Sequence, residues 1–213
     1  ESIDIPFNFS TINNRAVKKA HGEYLLFLNN DTEVITENWL TLMVSFAQQE
    51  RIGCVGAKLL YPNNTVQHAG VILGLGGVAG HGHYGYPHGD LGYFGRLAIN
   101  VNYSAVTAAC LLMKKADFDA VGGFEEAFTV AFNDVDLCLK VQALGRDNVW
   151  LHEAELYHFE SQTRGYDDKG KKKKRFEQEK VMMEEKWGPL IENDPFYNPN
   201  LTRDIPNFSL RID

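Results

Sequence analysis

The sequence is short of three things: cysteine, positive charge and long apolar runs. Only Cys54, Cys110 and Cys138 occur in 213 residues, and three cysteines cannot all pair. Each sits among apolar neighbours (Gly-Cys-Val, Ala-Cys-Leu and Leu-Cys-Leu), which reads as reduced core thiols in a cytosolic protein. Basic residues number 21 against 28 acidic ones, a net charge of −7. The basic footprint that nucleic acid demands is therefore missing. No stretch approaches the ~18 apolar residues of a membrane helix, and no secretory signal is expected. What remains is ordinary for a globular protein, 44% apolar and 23% charged. The length suits one domain with a substantial core, or one domain and a tail.

Residues 11–22 predict a short helix stopped by Gly22. Tyr24–Leu28 is a continuous apolar run, the pattern of a strand covered on both faces in a mostly parallel sheet. Thr36 is the expected cap of a helix over 37–49. Residues 52–60 and 66–73 read as strands joined by the turn Pro62-Asn63-Asn64. Residues 74–104 hold nine glycines, interspersed with Tyr84, Tyr86, Tyr93, Phe94 and three histidines, which predicts an ordered or inducible binding loop. A strand over 105–114, a helix near 116–121, a helix over 134–144 ended by Gly145, and a strand over 149–158 complete an α/β domain. Lys171 to Lys174 read as a solvated face, ahead of an amphipathic helix near 175–187.

Three places invite chemistry. Asn29-Asn30-Asp31 closes the first strand, and ligands of open α/β sheets bind beyond the carboxyl ends of strands. A hard cation shared with phosphate needs only one or two protein carboxylates, although the same residues suit a polar turn equally well. In Asn133-Asp134-Val135-Asp136, Asn133 reads as an N-cap and Asp136 as a capping partner, spaced to pair with Lys140 on the surface. Asp134 instead shares a stripe with Leu137, Val141 and Leu144. A carboxylate there needs a task or a partner, and desolvation would tune it as a general base. His158 ends the last strand, where an imidazole serves as ligand or as structure; Arg164 can pair with a diphosphate.

Two patterns are set aside. Gly74-Leu75-Gly76-Gly77-Val78-Ala79 fits a dinucleotide fingerprint, but the glycines after it cannot form the helix that receives the pyrophosphate. His81, His83 and His88 lack the regular spacing of a zinc site; a metallohydrolase built on them is the third-ranked reading.

LNNDTEV, TAACLLMKK with GGFEE, FNDVDLCLK and LYHFESQTRG occur in that order, and together they resemble the successive motifs of family 2 glycosyltransferases, in particular bacterial rhamnosyltransferase-like members. The likeness covers roughly residues 8–165. It implies a GT-A fold, a mostly parallel mixed sheet flanked by helices, and inverting transfer from a nucleotide-sugar donor to a carbohydrate or lipid-linked acceptor in cell-surface polysaccharide synthesis. It also implies Mg²⁺ or Mn²⁺. By matching position, Asp31 and His158 stand for the metal ligands, Asp134 for the base, and Asn29, Asn14 and Arg164 for contacts to the nucleotide or its diphosphate.

Asn29 and Asn133 stand where the family usually has acids, and the family's N-terminal nucleotide-binding strands are expected to be missing from the chain. These departures keep a non-catalytic sugar-binding module as the alternative. The expected division is a catalytic domain over 1–165 and a helical, turn-rich tail over 166–213. The expected setting is the cytoplasm, with peripheral association at the inner face of the membrane left open.

Overall fold

The computed structural model describes residues 5–159 and 170–212. Helix α1 (Phe9–Val17) opens at Asn8, whose Oδ1 accepts from the Thr11 amide at 3.0 Å. It ends well short of Gly22, its last turn tightening into bonds from Lys19 N to Ala16 O and Ala20 N to Val17 O. Strand β1 (Tyr24–Leu28) runs through the Asn29–Asp31 turn into β2 (Thr32–Val34). Helix α2 (Trp39–Ala47) then starts later than expected. Thr36 does not cap it with its side chain; its hydroxyl accepts from Glu155 N at 3.3 Å and is drawn to the sheet edge.

Strand β3 (Ile52–Leu60) comes next, and the apolar run after it divides into β4 (Val66–His68) and β5 (Val71–Leu73). The break falls at Gly70, where φ is +88° and a Cβ would run into the Tyr103 ring. Strand β6 (Ala79–His81) folds back on β5 as a hairpin, so the glycine-rich fingerprint is a turn between strands. A kinked 3₁₀ segment (Tyr93–Ala98) and β7 (Val101–Tyr103) complete an ordered 74–104 region. The chain continues as β8 (Cys110–Lys114), α3 (Lys115–Ala120), α4 (Asn133–Ala143), β9 (Asp147–His158) and α5 (Gly170–Glu192).

The main sheet has the order β1-β8-β3-β9-β2, with β4 beside β3 and β7 beside β9. It is mixed and flanked by helices. Its parallel part lies in the long β3–β9 pair, and the other pairings are antiparallel. The continuous apolar runs suggested a larger parallel share, yet they follow from burial on both faces, which strand direction does not require. Met43 and Ala47 of α2 pack with Val55, Leu59, Leu112 and Leu156 in one cluster. Leu137 and Val141 of α4 and Met183 and Ile191 of α5 pack with Leu60, Leu111, Met113 and Trp150 in another. Each such side chain, once fully buried, contributes ~1.5–3 kcal/mol.

The expected boundary after residue 165 lies outside the described residues. The C-terminal segment beyond α5 enters the same core through Tyr197, Leu201 and Phe208. Asp194 ties this end to the sheet by accepting from Leu73 N and Ser104 Oγ, each at 2.7 Å. No helix among the described residues is long and apolar enough to cross a membrane.

Candidate active site

A cleft of about 810 Å³ opens at the carboxyl end of β1, and Asn29, Asp31, Asp134 and His158 all line it. Asn29, Asp31 and His158 arrive there by strand register. Asn29 N continues the ladder by donating to Ala109 O at 3.0 Å, and Thr32 pairs with His158 across β2 and β9. That register, with Phe159 N donating to Asp31 O at 2.9 Å, brings Asp31 Oδ1 to 3.2 Å from His158 Nε2.

The protonation of His158 follows from its partners. Nδ1 lies 2.6 Å from Gln67 Oε1, and the Gln67 amide nitrogen reaches back to His158 O at 3.4 Å. With Gln67 oriented this way, Nδ1 carries the proton and Nε2 presents a lone pair to the cleft. Asn29 Nδ2 donates toward that lone pair at 3.1 Å. Asp31 Oδ1 is buried and has no hydrogen-bond donor among the described residues. A divalent metal taking the place of the Asn29 donor would have His158 Nε2 as nitrogen ligand and Asp31 Oδ1 as oxygen ligand, two atoms that lie 3.2 Å apart.

Asp134 enters from the other side. Phe132 takes a left-handed turn at φ +59° immediately before α4. The loop leading to that turn is held from α5: the buried Glu179 carboxylate accepts from Thr129 N at 2.8 Å, Val130 N at 3.2 Å and Ala131 N at 2.8 Å. Asp134 is half-buried, its Oδ2 accepting from Ala108 N at 3.1 Å and its Oδ1 from Val135 N at 2.9 Å. It sits in the first turn of α4, where the helix dipole favours a carboxylate. The expected apolar stripe around it is partly wrong, because Leu144 is exposed.

Two further readings change. Asn133 is the first residue of α4 rather than its cap, and its Nδ2 donates to Val130 O at 2.9 Å. Asp136 is fully buried instead of on the surface, paired with Lys186 Nζ at 2.6 Å and Trp187 Nε1 at 2.9 Å, with Lys140 Nζ at 3.2 Å.

Asn14 is not among the residues lining the cleft, whereas Asn13 is. The Asn14 amide is occupied by the 124–126 loop, donating to Phe124 O and Glu126 Oε1 and accepting from Phe124 N at 3.0 Å. Arg164 lies outside the described residues. The three loop histidines go to separate partners: His81 to His68, His83 to Tyr93 N, and His88 to Glu155. Sequence reasoning missed Lys172 and Arg175, which line the cleft from α5. A signal existed in the lysine run, whose pattern alone suggests a solvated face.

No family model matches the chain. Over 211 residues, 98% of the chain, it is 41% identical to the O-antigen biosynthesis protein RfbC of Myxococcus xanthus, covering 16% of that protein. Over 62 residues, 29% of the chain, it is 32% identical to the N-acetylglucosaminyl-diphospho-decaprenol L-rhamnosyltransferase of Mycobacterium tuberculosis, covering 20% of it. Two solved structures share the fold at low identity. A mannosyltransferase from Pyrobaculum calidifontis, in complex with GDP-Man and Mn²⁺, matches with TM-score 0.56 and 14% identity over 86% of this chain and 44% of its own. GalNAc-T7 with UDP, GalNAc and Mn²⁺ matches with TM-score 0.59 and 11% identity over 92% and 40%. The chain has the GT-A fold of these two structures. A further relative is the protein y4gI of Sinorhizobium fredii, 54% identical over 206 residues, 96% of this chain and 23% of that protein. The domain thus spans less than a quarter of the length of these curated relatives.

Proposed function

We propose that the domain transfers a sugar from a nucleotide-sugar donor to a carbohydrate or lipid-linked acceptor, with inversion, in the synthesis of a cell-surface polysaccharide. The observation that carries this is the convergence of the Asn29, Asp31 and His158 cluster and the carboxylate of Asp134 on one cleft. The relatives' roles in O-antigen synthesis and rhamnosyl transfer support the polysaccharide setting.

In this reading Asp134 takes the proton of the acceptor hydroxyl. The acceptor oxygen forms its bond to the anomeric carbon as the bond from that carbon to the phosphate oxygen breaks, and the electron pair leaves on the diphosphate. One carboxylate acting from the face opposite the leaving group gives single displacement. Asp31 and His158 would hold Mg²⁺ or Mn²⁺, which would supply positive charge to offset that of the leaving diphosphate. Lys172 and Arg175 add positive charge along the same wall. Asn29, whose Nδ2 lies 3.1 Å from His158 Nε2, would turn to the diphosphate once a metal takes that nitrogen.

The test is calorimetric titration of nucleoside diphosphates into the protein at its natural length, with and without Mn²⁺. Metal-dependent binding of at least one is expected, lost in Asp31→Ala. Absence of binding across the whole set overturns the reading in favour of a non-catalytic module.

A further inference from the structure

Both halves of the cleft lean on one short stretch of backbone between β7 and β8, Thr107 to Ala109. Ala108 N donates to Asp134 Oδ2 at 3.1 Å, and Ala109 O accepts from Asn29 N at 3.0 Å. Neighbouring residues thus join the carboxylate on α4 to the turn that carries Asn29 and Asp31. The stretch belongs to no helix or strand, and a bond from Cys110 N to Thr107 O at 3.3 Å closes it as a turn. Its peptide planes are therefore set by partners from outside.

On the α4 side Val106 N reaches Cys138 Sγ at 3.5 Å, and a thiol sulfur is a weak acceptor. The stronger acceptor comes from β4. His68 is fully buried at the end of that strand, and its Nε2 accepts from Thr107 N at 3.3 Å. A nitrogen that accepts carries no proton, so the His68 proton lies on Nδ1 and points to His81 Nδ1 at 2.8 Å. His81 stands on β6, which the hairpin with β5 holds in place. The imidazole is thus tied at both nitrogens, the condition for burying it without a penalty. A leucine would fill the same space without that demand; what the imidazole adds is an acceptor aimed at one backbone amide. Were it lost, the Thr107 amide would have to turn toward another partner, and the next amide along, Ala108 N, would move with it. Strand β4 then serves both halves of the cleft: Gln67 fixes the His158 ring, and His68 fixes the turn beneath Asp134.

We infer that His68 is a positioning residue for the cleft, setting the 107–109 turn through Thr107 N and so aiming Ala108 N at Asp134 and Ala109 O at Asn29. Its effect on turnover rests on the reading of Asp134 as the base, whereas the link from His68 to the turn does not.

NMR on the full chain reads that link. In the wild type, ¹⁵N shifts of His68 should place its proton on Nδ1. The Ala108 amide proton should lie downfield, held there by the carboxylate, and Asp134→Ala gives its position once released. His68→Leu, similar in bulk but without an acceptor, should move the Ala108 signal toward that position. His68→Gln, whose Oε1 can replace Nε2, should keep the signal near its wild-type place. Turnover is followed as nucleoside diphosphate released from dTDP-L-rhamnose or UDP-N-acetylglucosamine with Mn²⁺. His68→Leu should lower kcat about tenfold with KM for the donor changed by less than about twofold, and His68→Gln should recover most of the loss. A wild-type proton on Nε2 overturns the inference, as does an Ala108 signal that His68→Leu leaves in place. A loss in His68→Gln as large as in His68→Leu overturns it too. If the signal moves and kcat holds in His68→Leu while Asp134→Ala loses turnover, the inference fails and the cleft reading stands. If Asp134→Ala keeps full turnover, the cleft reading fails, and the amide signals alone decide whether His68 sets the turn.

Discussion

Asp134 and Asp136 stand two residues apart on α4 and live in opposite worlds. Asp136 is fully buried at the seam between α4 and α5, where Lys186, Trp187 and Lys140 converge on it. Asp134 faces the cleft and, among the described residues, is held by the amides of Ala108 and Val135. The seam matches its charge with partners from two helices; the cleft fixes a carboxylate in place with no cation paired to it among the described residues. The same contrast separates Glu179, whose carboxylate gathers three loop amides, from Asp31, whose buried Oδ1 has no donor among the described residues. Polar groups at the seam maintain the structure, and among the described residues Asp31 Oδ1 at the cleft lacks a donor, a place that a metal can fill.

The largest effect expected is on turnover. Asp134→Asn keeps the shape and can still accept from one of the two amides through its Oδ1, but cannot take a proton. Transfer should fall by roughly 10²- to 10⁴-fold, measured as initial rates on the full-length protein, with nucleotide-sugar affinity nearly unchanged. Turnover close to that of the wild type would remove Asp134 from the mechanism. Asp136→Ala should do the reverse. It strands Lys140 and Lys186 beside an apolar seam, and should lower unfolding stability by about 3 kcal/mol in a urea titration. That is the low end for breaking a buried pair, since Lys186 retains access to water. If Asp136→Ala unfolds at the wild-type midpoint, the contrast between the two acids is lost.

Much of this frame is legible in the sequence, and the illegible parts share a cause. The boundaries of β1 and β3 are readable because continuous apolar runs are cut off by Asn29 and Tyr61-Pro62. The clustering of Asp31, Asp134 and His158 is readable as three element ends aimed at one crevice. Asp136 is misread because the local rule points to Lys140, whereas its decisive partners sit on α5, with Trp187 51 residues away. Lys172 and Arg175 are hidden for the same reason: a lysine run carries no local sign of which surface its helix will cover. The role of Gln67 is also invisible, since a buried amide within an apolar strand has meaning only once His158 lies beside it.

Next in size is a dependence on pH that belongs to the structural side of the contrast. His83 stacks on Phe208 at 4.2 Å and accepts from Tyr93 N at 3.0 Å. Burial, then the positive charge of Arg96, hold it down at about 4, against an unfolded value near 6.5. Its folded-state value is depressed, so the unfolded chain binds the proton first. The contribution is present above about pH 6.5 and is lost as pH falls toward 4, amounting to ~3 kcal/mol at most. His68, also held low by burial, pulls in the same direction. Urea midpoints measured from pH 7.5 to 4.5 should show this decline, and it should flatten in His83→Phe, which keeps the stack but cannot titrate. An unchanged slope in that variant would show that the ordered 74–104 region does not depend on a neutral His83.

The smallest effect tests the cleft at its most delicate point, the direction in which one imidazole carries its proton. Gln67 Oε1 at 2.6 Å fixes the proton on His158 Nδ1 and so turns the Nε2 lone pair toward Asp31. Gln67→Leu removes the acceptor at similar volume and frees the ring to place its proton on Nε2, where it would satisfy Asp31 Oδ1 directly and close the pair against a cation. Loss of such a supporting hydrogen bond typically lowers metal affinity by about 10- to 100-fold, read here as Mn²⁺ binding by electron paramagnetic resonance. Gln67→Glu keeps an acceptor opposite Nδ1 and should restore most of the affinity. The same switch is visible without metal, because ¹⁵N shifts of His158 distinguish a proton on Nδ1 from one on Nε2. If Gln67→Leu leaves both the tautomer and the Mn²⁺ affinity where they were, Gln67 belongs with Glu179 among the groups that only hold the fold, and the lone pair facing Asp31 is set by Asn29 instead.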